Sequence, residues 1–321
     1  MKMERVVLIG GSGFVGRAVA NRLSRHGIDV LAPTRRRSRA GDLLPMPTVE
    51  VVEADVHDPA TLTRLLAGAD AVVNLVGILH SRTGTPYGAD FARAHVELPQ
   101  KIVAACRAAG VAHLIHVSAL GAAADGPSEY LRSKAAGEAA VRAAGEAPAW
   151  TILRPSVMFG REDHFLNLFA RLAELFPVLP LAGAQARFQP VHVEDVAEVV
   201  TRCLFDAASR GQTYELAGPT VYTLRQLVEY VSELAGHPRP IVPLPEALAM
   251  LQARLMELAP QPMMSRDNVR SMRVDNVASG APLPFGMVPA ALETVAPTYI
   301  GNSFPRARYY TMRSRTGSHP G

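Results

Sequence analysis

Val6-Val7-Leu8-Ile9-Gly10-Gly11-Ser12-Gly13-Phe14-Val15-Gly16 is the stretch on which the reading of this chain turns. Four successive apolar residues suit a short strand buried on both faces. Glycines follow, and behind them Val15, Ala18, Val19 and Leu23 recur at helical spacing. A glycine-rich turn alone is common; one set between a strand and an amphipathic helix is a dinucleotide-binding signature. The glycines let the backbone turn tightly and approach a pyrophosphate, whose charge is met by free N–H groups at the helix start. The cofactor contacts expected here are Gly10, Ser12, Gly13, Phe14, Val15 and Gly16.

Outward from this unit the pattern repeats. Strand-like runs at 6–9, 29–32, 49–53, 71–76, 113–118 and 150–154 alternate with helical segments, the fourth helix covering roughly 88–109. Alternation with short connections predicts an α/β fold, a Rossmann-type doubly wound parallel sheet. After Pro155 the rhythm breaks into a helix at 164–176, a strand at 188–193, a helix at 194–205, a strand at 214–217, and then proline-punctuated helices with a Met263-Met264 pair. The expected organisation is a nucleotide-binding domain over 1–156 completed by about 188–217, a smaller and mostly helical substrate-side cap from 157–187 and 218–301, and a basic extended tail over 302–321.

Cofactor choice rests on the end of the second strand. A site for NAD places a carboxylate there to hold the ribose 2′-hydroxyl. Here the chain has Pro33-Thr34-Arg35-Arg36-Arg37. Guanidinium groups pair bidentately with a 2′-phosphate that a carboxylate would repel. NADP(H) is therefore expected over NAD(H), held by Arg35 and Arg36 with Thr34 as an accessory. Asp55 and Val56, after the third strand, are placed by the adenine. Leu75, Val76 and Gly77, after the fourth, let the chain pass close to ribose and nicotinamide.

Tyr130 and Lys134 are four apart at the start of a helical segment, which puts phenol and ammonium on one face. A nearby cation stabilises a phenolate and brings its proton within reach of chemistry. The chain has 33 basic residues but only three lysines, Lys2, Lys101 and Lys134. Arginine serves nearly everywhere else, and arginine cannot be deprotonated. Ser118, 12 residues before Tyr130, supplies a hydroxyl to orient a carbonyl, so the expected catalytic set is Ser118, Tyr130 and Lys134.

Together with Asn74-Leu75-Val76-Gly77 and Arg154-Pro155-Ser156, these residues resemble the extended or atypical branch of the short-chain dehydrogenase/reductase superfamily. His116-Val117-Ser118, Tyr130-Leu131-Arg132-Ser133-Lys134-Ala135-Ala136-Gly137-Glu138 and Phe159-Gly160-Arg161-Glu162-Asp163-His164-Phe165-Leu166-Asn167 are similar to the NADPH-binding accessory subunits of respiratory complex I and their bacterial relatives. The similarity covers roughly 5–205. It implies hydride transfer coupled to proton transfer through Ser118, Tyr130 and Lys134, with Pro155 and Val157 joining the cofactor contacts. It equally implies a protein that holds NADPH within an assembly, or one tied to ubiquinone metabolism; epimerase/dehydratase chemistry on sugar nucleotides uses the same residues. The Ala/Gly-rich segment 121–127 offers few side chains for a polar substrate.

Substrate contacts are expected from Met158, Phe159, His164 and Phe165, an apolar lining suited to a quinone or another hydrophobic carbonyl. The alternative is that these residues pack the cap. His113 and His116 lack metal-ligand spacing, so no metal is expected. With 321 residues, 48% hydrophobic and 19% charged, the composition excludes disordered and disulfide-scaffold classes. Cys106 and Cys203 suit buried thiols of a reducing compartment. No apolar run approaches a membrane span and no signal peptide is read, so a cytoplasmic location is expected, peripheral at the inner membrane face if the tail binds lipid. The net charge of +4 equals the four arginines of 302–321, Arg306, Arg308, Arg313 and Arg315, leaving 29 basic against 29 acidic residues elsewhere. A neutral body excludes a nucleic-acid face and leaves a cationic arm for an acidic partner or anionic lipid.

Overall fold

The computed structural model describes residues 3–259 and 262–301. Seven strands form one parallel sheet: β1 (Arg5–Ile9), β2 (Asp29–Thr34), β3 (Val49–Glu53), β4 (Ala71–Asn74), β5 (His113–Val117), β6 (Ala149–Pro155) and β7 (Gln212–Leu216). Their order across the sheet is β3-β2-β1-β4-β5-β6-β7, so the winding reverses between β1 and β4. At that switch point the carboxyl ends of the strands open a crevice.

The strand sequences explain the layers. In β1, Val6 and Leu8 enter the core under α1 (Phe14–Arg25) and α6 (Val193–Phe205). Val7 and Ile9 face the opposite core, built from α2 (Pro59–Leu66), α3 (Leu98–Ala109) and α4 (Glu129–Arg142). A strand packed on both faces needs this continuous apolar run. Cys106 and Cys203 lie buried and free in these two cores, and burial pushes both thiols up to about 12.

The remaining chain builds the cap. Helices α5 (Leu166–Leu175) and α7 (Leu224–Leu234) pack together, and Leu179–Ala182 pairs in parallel with Ile241–Leu244. Two further helices follow, α8 (Glu246–Met256) and α9 (Arg266–Ser271). The strand expected over 188–193 is two separate pieces. Arg187–Phe188 pairs antiparallel with Tyr222–Thr223, and Val191–His192 pairs parallel with Met158–Phe159. Pro190, which has no N–H to donate, falls between them. Residues 275–301 then bridge the cap and the nucleotide-binding half. Leu283 joins the α1/α6 core, Ala290 N–H donates to Asp195, and Tyr299 Oη donates to Asp163 at 2.9 Å. The expected basic tail lies outside the described residues. Among the described residues no helix is long and apolar enough to cross a membrane.

Candidate functional site

The glycine turn seats α1 directly on the end of β1. Gly10 has φ +88°, and a Cβ on Gly16 would lie 2.4 Å from both the Gly10 and Gly11 carbonyl oxygens, so no larger residue fits. Gly13 is the N-cap and no side chain caps the helix. The N–H groups of Phe14, Val15 and Gly16 have no acceptor among the described residues. Ser12 sits in the turn, with its carbonyl accepting from Arg17 at 3.0 Å. Orphan donors at a helix start are met by a cap, by water or by a ligand; at the switch point of the sheet a pyrophosphate is a fitting acceptor.

At the end of β2, Arg35 and Arg36 are exposed, and neither guanidinium has a carboxylate partner among the described residues. Thr34 departs from its expected role. Its hydroxyl donates to the Arg36 carbonyl at 3.2 Å, so it shapes the loop that presents the arginines instead of facing a phosphate. Glu53, beside them on β3, accepts the Arg37 N–H at 3.3 Å. Asp55 is exposed and accepts the His57 N–H, while Val56 and Val76 pack on the α2/α3/α4 core. Leu75 packs on the other core, and Asn74 holds the turn by accepting the Val76 N–H at 3.2 Å. Pro155 is buried, and the half-buried Val157 donates its N–H to Asn276.

Lys134 is 3% exposed at the same sheet edge, and its ammonium donates to the Val117 carbonyl at 2.8 Å. A Cβ on Gly77 would lie 4.0 Å from both Lys134 Nζ and His95 Nε2, so all three meet where the strand end passes. Burial pulls Lys134 down to about 8, partly opposed by the Glu138 carboxylate. Tyr130, half-buried on the first turn of α4, has no hydrogen-bond partner for its hydroxyl among the described residues. The expected lowering of its pKa by Lys134 is not found. Burial pushes the phenol up to about 12, and no cation opposes it. Ser118 is 4% exposed, with an Oγ that makes no hydrogen bond of ordinary geometry but lies close enough to Glu138 to help keep that carboxylate charged. It is not hydrogen-bonded to Tyr130.

His95 went unnoticed in the sequence and sits at the centre of this cluster. It lies in a π-helical turn, Ala92–Glu97, between the short helix Ala89–Phe91 and α3. Its Nε2 accepts the Ile78 N–H at 3.0 Å, and its Nδ1 meets Ser133 Oγ at 2.8 Å. Because Ser133 itself donates to the Tyr130 carbonyl, these partners assign the proton to Nδ1. The ring stacks on Phe91 at 5.3 Å and meets the Tyr130 ring edge-on at 5.6 Å. Burial first, then the Lys134 charge, pushes His95 down to about 2, so it is neutral. Gly137 permits the approach, since a Cβ there would lie 2.1 Å from the His95 carbonyl.

The first turn of α4 contrasts with that of α1. Asp267, from α9 in the cap, accepts the Glu129 N–H at 2.7 Å and the Tyr130 N–H at 2.9 Å, while Ser128 Oγ accepts from Leu131. The N–H groups of Glu129, Tyr130 and Leu131 are thus all met. Glu129 in turn accepts the Gly84 and Gly88 N–H groups. Asn276 ties the chain after α9 to the end of β6, its Oδ1 accepting from Ser156 Oγ and the Val157 N–H.

The expected substrate lining needs correction. Phe159 is wholly buried in the cap core and has no surface for a ligand. Phe165 packs between Phe169 and Phe188, with centroids 5.4 and 5.7 Å away, and Met158 packs under the α1 face. His164 is exposed just before α5. Phe159 and Phe165 thus pack the cap, and Met158 packs the α1/α6 core.

An uncapped glycine turn at the switch point of a doubly wound sheet, with a buried lysine and a tyrosine at the same edge, defines an NAD(P)-binding Rossmann protein of short-chain dehydrogenase type. The chain belongs to the NAD dependent epimerase/dehydratase family, whose model matches residues 6–217. It is 33% identical over 300 residues to the mitochondrial NADH dehydrogenase (ubiquinone) 1 alpha subcomplex subunit 9 of Rattus norvegicus, covering 89% of this chain and 77% of that one. It is 38% identical over 199 residues to a ceramide reductase of Caulobacter vibrioides, covering 60% and 58%. Among solved structures, an NADPH-dependent quinone oxidoreductase of Escherichia coli shares the fold with a TM-score of 0.72 at 22% identity, covering 92% of this chain and 99% of that one.

Proposed function

We propose that this protein is an NADP(H)-dependent reductase of a hydrophobic carbonyl or quinone. The observation that carries the proposal is the placement of a buried Lys134 ammonium beside Gly77 with the free Tyr130 hydroxyl on the same helix. The bound nicotinamide would supply the hydride. Phe14, Val15 and Gly16 N–H groups take the pyrophosphate, and Arg35 and Arg36 take the 2′-phosphate. Lys134 uses one of its three donors on Val117, which leaves two for ribose hydroxyls. Burial pushes the phenol up to about 12, so Tyr130 is protonated in the neutral range and can donate a proton to a substrate carbonyl oxygen. Ser118, which makes no hydrogen bond to Tyr130, is left the orienting role and takes no part in the first proton transfer under this reading.

The test is to follow oxidation of NADPH by purified protein with short- and long-chain quinones, ketones and acyl-ceramide precursors. Turnover that falls about 100-fold or more in Tyr130→Phe, with NADPH affinity unchanged, supports it. A second reading is favoured by the long similarity to a respiratory-complex subunit and by the absence of Tyr130–Lys134 coupling: the chain holds NADPH without turnover as part of a membrane-associated respiratory or quinone-synthesising assembly. Protein that co-purifies with NADPH, releases it over hours and oxidises it with no acceptor decides for that reading.

A further inference from the structure

The cap carries a helix whose amphipathicity is inverted. In α8 the alanines Ala249 and Ala253 are the wholly buried positions, packed against Ala182 and Val269. The large side chains point outward: Leu248, Leu251, Leu255 and, just past the helix, Leu258 are 52%, 54%, 61% and 82% exposed. Their 3-4-3 spacing makes a single stripe opposite the alanine face. Met263, on the connection to α9, is 52% exposed as well. A folded core gains by burying leucine before alanine, so a helix set the other way round presents its leucines to something else.

The charges around the stripe favour an anionic surface. Glu246 and Glu257, at the two ends of α8, are neutralised by Arg273 and Arg266. Arg254, exposed at the edge of the stripe, has no carboxylate partner among the described residues. The chain after Gly301 adds Arg306, Arg308, Arg313 and Arg315 and no acid. Gly301 packs on the Leu234 carbonyl at the end of α7, the helix that leads through Ile241–Leu244 into α8. A second copy of the chain is a poorer occupant, because a two-fold contact sets one cationic rim against another and a helix of 11 residues is short for a coiled coil.

We propose that the outer face of α8 docks on an anionic lipid bilayer, with the leucines below the headgroups and Arg254 reaching a lipid phosphate. This does not depend on whether the protein turns over its cofactor. The test is flotation of the full chain with vesicles of phosphatidylcholine alone and of phosphatidylcholine with phosphatidylglycerol. Binding is expected to the anionic vesicles and to fall with salt. Leu251→Ser/Leu255→Ser should lose it by about tenfold or more while keeping NADPH binding and its unfolding midpoint, since both side chains are more than half exposed. Arg254→Glu should weaken binding to the anionic vesicles further than Arg254→Gln. A chain ending at Gly301 should keep binding that the leucine substitutions still abolish. The proposal fails if the double variant floats like the parent, if truncation alone removes all binding, or if neither vesicle binds and the leucine substitutions instead convert a dimer to a monomer in light scattering.

Discussion

Replacing Asp267 by alanine removes both carboxylate oxygens from the first turn of α4, 137 and 138 residues away in sequence. The two N–H groups left behind belong to Tyr130 and Glu129, and among the described residues no other acceptor is bonded to them. Hydrogen bonds to a charged acceptor contribute roughly 1.5–3 kcal/mol each in protected sites. Asp267 is half-buried and Ser128 still caps Leu131, so a total loss of about 2 kcal/mol is expected, at the upper end of what cap removal costs. Asp267→Asn retains one acceptor oxygen and should cost about half as much. Urea unfolding reads this out directly, with Glu229→Ala as the control, since its exposed Arg225 pair contributes at most about 0.5 kcal/mol. NADPH affinity should be unchanged, because α1 and the arginine loop are untouched. The link between cap and active helix is refuted if Asp267→Ala lies within the error of Glu229→Ala.

Other expectations are shorter. Arg35→Ser/Arg36→Ser should weaken NADPH by roughly 100-fold while leaving NADH within a few-fold, measured by nucleotide fluorescence titration; equal losses for both nucleotides would remove the 2′-phosphate assignment. Burial lowers His95 to about 2 and His113 to about 4, and puts His116 well below its ordinary value. Below about pH 6.5 the unfolded chain therefore binds protons that the folded chain refuses, and stability falls with pH by up to about 1.4 kcal/mol per unit for each histidine. Urea midpoints between pH 7 and 5 should drop steeply, and less so in His95→Asn; a flat profile would contradict the neutral, hydrogen-bonded rings.

What the chain disclosed in advance was what it encodes locally. The β1–turn–α1 unit, the six alternating strands and the arginine loop are set by residues within a few positions of one another, and the structure keeps them. The cap was legible only as a region. Phe159 looks the same in sequence whether it lines a cleft or fills a core; the partners that bury it, Leu227 and Leu292 among them, come from the far end of the chain. Asp267 and Asn276 carry no motif, because their work is to satisfy backbone groups more than 100 residues away. His95 is hidden differently, since helical periodicity runs straight through 88–109 in the sequence and the π-turn shifts the face on which the ring emerges. The run at 188–193 resembles one strand because its apolar content outweighs Pro190, where the structure breaks it.

Lys134 separates a structural strut from a ligand-binding group. Holding its ammonium at 3% exposure, with the pKa drawn from 10.5 to about 8, costs on the order of 3 kcal/mol. Among the described residues its one protein acceptor is the Val117 carbonyl, and Glu138 is already paired with Arg154 and Arg142. A residue kept only for stability would not be a cation here, since a methionine fills similar volume without the desolvation cost. Lys134→Met should therefore stabilise the protein without added nucleotide by about 1–2 kcal/mol, the Val117 carbonyl losing its partner and taking back part of the gain. The same change should lower NADPH affinity about tenfold or more, because two donors aimed beside Gly77 are gone. The linkage also has a sign: between about pH 8 and 10.5 the unfolded lysine holds a proton that the folded one releases, so the parent gains stability over that window and the variant does not. Unfolding curves at pH 7 and pH 10 with and without NADPH measure all three effects. If Lys134→Met is destabilising and binds NADPH as the parent does, the lysine is a strut and the assignment of its free donors to the ribose falls.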